Sequence, residues 1–205
     1  MCYQVPGMMQ DGICLVVSPL IALMKDQVSS LQAKGIKAIA LSSGMTLSEV
    51  DITLDNCIYG SFKFLYLSPE RLQNKMVQER LKKMRINLIA VDEAHCVSEW
   101  GYDFRPAYLK IAEIRSFIDA PLLALTATAT PDVVEDLQKQ LLFKESNVWH
   151  ESFLRPKLSY VILEQEDKDG KLLRILQRVK GSCIVYCNTR KEIKRIYQLL
   201  QEHNI

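Results

Sequence analysis

Leu88-Ile89-Ala90-Val91 runs directly into two acids, Asp92 and Glu93, and His95 follows after a single alanine. Adjacent carboxylates at the end of an apolar run repel each other and resist burial, and a bound divalent cation removes that conflict. In nucleotide hydrolysis a strand-end Asp holds Mg²⁺, usually through water, while a neighbouring Glu orients or deprotonates the attacking water. The simpler reading is a solvated Asp-Glu pair at a helix start, favoured there by the helix dipole. Two carboxylates alone leave that simpler reading ahead. Two further sets of residues bear on the choice. Thr126 and Thr128 close the apolar run LLALTAT, and Trp100, Phe104 and Arg105 follow soon after the acids. The latter three supply two aromatic faces and a guanidinium, groups that stack on bases or bind phosphate without sequence preference. Trp100 and Phe104 would serve equally as core residues.

For these groups to meet, the chain must bring the ends of several apolar runs together. ICLVV leads into Ser18-Pro19, FLYL into Ser68-Pro69, and LLALTATA into Thr130-Pro131. In each pair the hydroxyl residue suits a helix N-cap and proline suits the first helical turn. The residue before proline is also biased to extended geometry, so the three pairs predict strand-to-helix switches. After Pro19, the positions Leu20, Leu23, Met24, Val28 and Leu31 follow helical spacing, and Gly35 is a natural stop. KAIAL reads as the next strand. Thr46 with Glu49, and Thr189 with Glu192, have capping-box spacing and open two further helices. Apolar strands alternating with helices predict an α/β domain over residues 1–150, a parallel sheet with helices on both faces. Such sheets bind ligands outside the carboxyl ends of their strands. Near SFLRPKLSY the pattern breaks. LLRILQRV, a strand at CIVYC and a helix led by Ile193, Ile196, Tyr197 and Leu200 predict the beginning of a second unit over residues 151–205. Those elements are too few to close a core, so the chain reads as cut off.

The 205 residues are 48% hydrophobic and 24% charged, the composition of an ordinary globular protein. Twenty-six Lys+Arg against 24 Asp+Glu leave a net charge of +2, which neither demands nor excludes a polyanionic partner. Any basic surface must be local. Lys25 and the segment KMVQERLKKMR are candidates for phosphate contacts, although most of those charges suit a solvated helix face. Six cysteines occur without a secretory signal. Cys14, Cys183 and Cys187 sit inside apolar runs and read as core thiols in a reducing compartment. If CIVYC is a strand, its two cysteines stand roughly 13 Å apart, too far to share a metal ion, and no zinc site is expected. No apolar run reaches the roughly 18 residues that span a bilayer, and the N-terminus lacks the pattern of a signal peptide. These features predict a cytoplasmic protein without membrane association, and a monomer is expected.

Asp92-Glu93-Ala94-His95 after a hydrophobic strand resembles the Walker B box of superfamily 2 helicases. Thr126-Ala127-Thr128 resembles the Ser/Thr-Ala-Thr motif that links hydrolysis to strand separation in those enzymes. SEWGYDFRPAY, from Ser98 to Tyr108, is similar to the aromatic-rich loop by which RecQ DNA helicases link DNA binding to ATP hydrolysis. VVSPLIALMKDQV resembles their motif Ia, LSPERL a further block, SFLRPKLSY the junction to the second lobe, and IVYCNTRKE motif IV. The resemblance covers nearly the whole chain, in order. It implies a RecA-like parallel sheet followed by the start of a second RecA-like lobe. The implied activity is that of an ATP-dependent 3′–5′ DNA helicase of recombination and repair. ATP and Mg²⁺ are the implied cofactors, and single-stranded and branched DNA the implied partners. The same resemblance assigns Asp92 to Mg²⁺ and Glu93 to the attacking water, both within the nucleotide site. His95, Thr126 and Thr128 take the coupling role. Trp100, Phe104 and Arg105 become DNA-sensing residues, with Ser18, Pro19, Lys25, Asn188 and Thr189 as further DNA contacts.

The chain also departs from the family pattern. No G-x-x-x-x-G-K-[ST] phosphate loop occurs, nor the family's upstream adenine-reading glutamine, and the motif that carries the arginine finger is missing. The chain by itself is therefore expected to be inactive as an ATPase. Tyr102 stands where the family usually has histidine, and Leu154 and Lys157 replace asparagines. Two alternatives remain: a non-catalytic nucleic-acid-binding or interaction fragment, favoured by the missing phosphate loop, and an RNA helicase of the same superfamily, disfavoured by the aromatic-rich loop.

Overall fold

The structure is a computed structural model that describes every residue except Met1, Ser43, Tyr102 and Phe153. The histidine-to-tyrosine departure at Tyr102 lies outside the described residues. The chain divides into two compact units, Met1–Val148 and Trp149–Ile205.

The first unit runs through helix α1 (Gln4–Met9), strand β1 (Ile13–Val17), α2 (Ile21–Gln32), β2 (Ala38–Ala40), α3 (Leu47–Tyr59), β3 (Phe64–Leu67), α4 (Pro69–Leu72), α5 (Lys75–Leu81) and β4 (Ile86–Val91). A 3-10 turn at Ala94–Val97, helix α6 (Pro106–Leu109), a 3-10 stretch at Lys110–Ser116, β5 (Leu122–Ala124) and α7 (Pro131–Gln140) follow. The strands form one sheet in the order β2-β3-β1-β4-β5, with every pairing parallel. Successive strand residues point to opposite faces. Leu15, Val17, Leu65, Leu67, Ile89 and Val91 share one core with Val50, Leu54, Val77, Leu81 and Leu137 from α3, α5 and α7. Cys14, Val16, Phe64, Tyr66, Leu88 and Ala90 share the other with Tyr3 and with Met24, Val28 and Leu31 of α2. Helices cover both faces as expected, which is why β1, β3 and β4 read as unbroken apolar runs.

Two of the three strand-to-helix switches are capped as predicted. The Ser68 hydroxyl accepts the Arg71 N–H and the Thr130 hydroxyl accepts the Val133 N–H, each with proline at the first helical position. Thr46 and Glu49 form a complete capping box on α3. Ser18-Pro19 differs. Helix α2 starts later, at Ile21, with Leu20 at its N-cap and no side-chain cap, and Leu20 is exposed rather than apolar-facing. Within the basic segment, α5 turns Val77 and Leu81 inward. Arg80 pairs with Asp51 at 2.7 Å and also with Asp55 on α3, and Lys82 pairs with Glu79 at 2.6 Å. Those cations are occupied within the unit.

The second unit contains α8 (Lys168–Arg178) and α9 (Arg190–Glu202). Thr189 caps α9 by accepting the Glu192 N–H at 3.2 Å. The Glu192 carboxylate turns to Arg195 at 2.7 Å, and Arg195 also reaches Asp169 at 2.9 Å. CIVYC is not a strand. A strand exists through its ladder of backbone hydrogen bonds, and the described residues of this unit offer no neighbouring strand, so Ile184 and Tyr186 are exposed. The reading of Cys183 and Cys187 as core thiols is corrected with it, since Cys183 is exposed and Cys187 half-buried. Cys14 is buried between β1 and its neighbours, and burial pushes its thiol up to about 12.

Candidate active site

The sheet register aligns Val17 with Val91 and Val91 with Ala124. The next residues of β1, β4 and β5 therefore emerge together at the carboxyl edge: Ser18, Asp92, and Leu125 with Thr126. Backbone bonds pin this edge. The Asp92 N–H donates to Val17 O at 2.8 Å, Leu125 N–H to Val91 O at 2.9 Å, and Ala94 N–H to Leu125 O at 2.9 Å. Ser18, 2% exposed, explains the missing helix cap, because its hydroxyl points across to Asp92 Oδ2 at 3.4 Å.

Glu93 sits in the left-handed region at φ 49°, which costs an L-residue on the order of 1 kcal/mol. That conformation breaks the extended strand and starts the 3-10 turn. Its N–H donates to Asp92 Oδ1 at 3.1 Å. Among the described residues neither carboxylate is paired with a lysine or arginine. The simpler reading of a helix-start pair does not describe them, since only a four-residue 3-10 turn follows and Glu93 makes no cap hydrogen bond.

His95 joins the acids to β5. Its Nδ1 lies 3.4 Å from Glu93 Oε2, 3.0 Å from Thr126 Oγ1 and 3.5 Å from Thr128 Oγ1. Thr126 Oγ1 accepts the Thr128 N–H at 3.1 Å, so both threonines and the imidazole form one cluster beside Glu93. A cavity of about 200 Å³ opens there, lined by Pro19, Leu20, Glu93, His95, Cys96 and Asp103.

The loop beyond presents Trp100 at 78% exposure, with its N–H on Ser98 Oγ at 3.2 Å. Phe104 is half-buried. Arg105 is anchored by its own N–H to Cys96 O at 3.0 Å, and its guanidinium rests on Asp103 at 2.8 and 3.1 Å. The Arg105 guanidinium holds the Asp103 carboxyl below the usual carboxylate range. Gly101 lets the loop fold back, since a Cβ there would lie 2.5 Å from His95 O. Lys25 is exposed on α2. Asn188 and Thr189 lie in the second unit and are exposed, Thr189 serving as a cap.

Two residues escaped the sequence reading. Asp103 lines the cavity and holds Arg105, a pairing hinted at by its position two residues away. Tyr108 is wholly buried and donates its hydroxyl to Asp92 O at 3.0 Å. Burial raises its pKa, so it remains a donor. No spacing in the sequence signals that contact.

Asp92 and Glu93 fit a Mg²⁺-nucleotide. Mg²⁺ is held by one or two carboxylates together with waters and substrate phosphates, and these acids stand at a strand-end cleft with no lysine or arginine paired to them among the described residues. The described residues hold no group of three or more His, Cys, Asp or Glu able to cage an ion alone.

Comparison with known proteins identifies the family. Residues 1–137 match the DEAD/DEAH box helicase family. Haemophilus influenzae ATP-dependent DNA helicase RecQ is 41% identical over 100% of the chain, which spans 33% of that protein. The probable ATP-dependent DNA helicase RecS of Bacillus subtilis is 44% identical over 96% of the chain and 40% of its own length. The chain thus spans about a third of the curated relatives it matches. The crystal structure of the Pyrococcus furiosus Hef helicase domain superposes with a TM-score of 0.52 at 19% identity, covering 69% of this chain and 30% of that one. That likeness supports a RecA-like helicase fold. Because that family's model matches residues 1–137, well over half of the chain's length, the chain belongs to the DEAD/DEAH box helicase family.

Proposed function

We propose that this chain is a partial core of a RecQ-type ATP-dependent DNA helicase, moving 3′ to 5′ and acting in recombination and repair. The observation that carries the reading is the join between a strand-end Asp92-Glu93 pair that no lysine or arginine neutralises among the described residues and, a few residues on, a loop displaying an exposed Trp100. ATP and Mg²⁺ are its cofactors, and single-stranded and branched DNA its substrates. The relatives named as ATP-dependent DNA helicases support the activity. The second unit, with its capped α9, is read as the beginning of a second RecA-like lobe, and the protein as a cytoplasmic monomer.

Each residue then has a stated task. Asp92, oriented by the Ser18 hydroxyl, holds Mg²⁺; the cation supplies charge neutralisation for the transferred phosphoryl group. Glu93 orients the attacking water and takes its proton. His95 bridges Glu93 to Thr126 and Thr128, so a shift of β5's end reaches the water-binding carboxylate through one imidazole. Trp100 and Phe104 stack on bases, and Arg105 exchanges Asp103 for a DNA phosphate.

The test is a pair of substitutions in a chain extended on its N-terminal side to include a phosphate loop. Glu93→Gln abolishes turnover and keeps ATP binding, whereas Asp92→Asn also weakens Mg²⁺-dependent binding. Near-normal hydrolysis by Glu93→Gln overturns the assignment. A second reading, a DNA-binding segment without turnover, is favoured for the 205 residues alone by their lack of a G-x-x-x-x-G-K-[ST] loop. Phosphate release above roughly 1 per second, the low end for ordinary enzymes, from the 205-residue chain would contradict it.

A further inference from the structure

Glu93 is held in a backbone conformation that ordinary residues avoid, and the peptide that precedes it is fixed at both ends. The Glu93 N–H donates to the Asp92 side chain at 3.1 Å, and the Asp92 carbonyl accepts the Tyr108 hydroxyl at 3.0 Å. Rotation of that peptide would change φ of Glu93 and swing its carboxylate away from His95, from which it now lies 3.4 Å. A positive φ in a non-glycine residue persists only where its surroundings over-determine it, and among the described residues Tyr108 is the one side chain outside the acidic pair that bonds this peptide. The side chain of Tyr108 is fully buried and belongs to the same core cluster as Val91, Ala94 and Ile111. Its main chain belongs to α6, with its N–H on Arg105 O at 2.8 Å, while the Arg105 N–H is in turn on Cys96 O at 3.0 Å. One buried hydroxyl thus ties the helix behind the aromatic loop to the peptide that aims Glu93.

We infer that Tyr108 is a positioning residue for hydrolysis: its hydroxyl sets the orientation of the Asp92–Glu93 peptide and through it the Glu93 carboxylate, without touching nucleotide or DNA. The inference rests on the proposed role of Glu93. Tyr108→Phe keeps the ring and deletes only the hydroxyl, leaving Asp92 O without its partner. The Asp92 side chain keeps Ser18, so metal and nucleotide binding are untouched. Loss of one such bond lowers kcat by about tenfold, with and without single-stranded DNA. The KM for ATP and the DNA concentration giving half-maximal stimulation stay within about twofold.

The experiment measures steady-state phosphate release against ATP and DNA concentration for the phosphate-loop-containing protein, for Tyr108→Phe and for Glu93→Gln, with thermal unfolding of each. A lowered kcat at unchanged KM, in a variant that melts as a single folded species, is the expected result. Unchanged kcat in Tyr108→Phe beside an inactive Glu93→Gln overturns the inference alone. An active Glu93→Gln overturns the underlying reading of the acids instead. If Tyr108→Phe melts earlier and its activity per folded molecule is normal, the hydroxyl is structural and the inference fails.

Discussion

Ser18 shows how a residue can look local in sequence and act at a distance. Read beside Pro19 it is a helix cap, like Ser68 and Thr130, which do cap their helices. Folding brings Asp92 next to it, and the hydroxyl faces that carboxylate at 3.4 Å instead. Groups that orient a metal-binding carboxylate typically change metal affinity by about tenfold or more when removed. Ser18→Ala should therefore weaken Mg²⁺-dependent nucleotide binding about tenfold in the phosphate-loop-containing protein, and a Mg²⁺ titration of nucleotide binding checks it. Unchanged affinity would reduce the Ser18 contact to packing. The acids stood out by type and adjacency, but reading them as a nucleotide site needed the family resemblance. Their link through His95 to Thr126 and Thr128 was legible only through family resemblance, because it joins two strands that are neighbours in space and not in sequence. Cysteine chemistry is likewise set by burial. Cys14, Cys57 and Cys96 are buried, and burial pushes their thiols up to about 12, 12 and 11. Brief alkylation of the native chain at pH 8 followed by mass spectrometry should label the exposed Cys2 and Cys183 and spare those three.

At the scale of elements, patterning and capping chemistry did most of the predicting. The complete Thr46–Glu49 box makes Thr46→Ala cost about 1 kcal/mol, a shift of a few degrees in the melting temperature of the first unit. CIVYC failed for the opposite reason. Its composition suits a strand, yet strand identity is a property of a pair, and the described residues of the second unit provide no partner. The aromatic loop depends on one close approach. A methyl group at Gly101 would meet His95 O at 2.5 Å and Ser98 O at 3.1 Å, and a backbone oxygen cannot rotate aside. Gly101→Ala should displace the loop and weaken single-stranded DNA binding of the chain severalfold while leaving the sheet intact. Fluorescence anisotropy of a labelled oligonucleotide, set beside the far-ultraviolet circular dichroism of the variant, measures both. Equal affinity would mean that the loop accommodates a side chain there without moving.

Taken whole, the first unit is built around β1, which lies between β3 and β4 and is wholly buried, while in the second unit α8 buries no residue completely. Amide exchange tracks such differences, so β1 and β4 amides should exchange slowest and α8 amides fast. The order of the strands places the ends of β1, β4 and β5 side by side, and this arrangement turns scattered motifs into one site. From there the loop carrying Trp100 extends directly, and in the proposed function a DNA contact on that loop reaches the acids through a short chain of residues. That coupling is the central claim. Its most direct measurement is phosphate release as a function of single-stranded DNA concentration, comparing the phosphate-loop-containing protein with its Trp100→Ala variant, with thermal unfolding of both. Trp100 is 78% exposed, so its truncation should spare stability, unlike loss of a core aromatic at about 3 to 5 kcal/mol. The expected result is unchanged unfolding and unchanged basal hydrolysis, with stimulation by DNA lost. Stimulation that persists in Trp100→Ala would contradict the account.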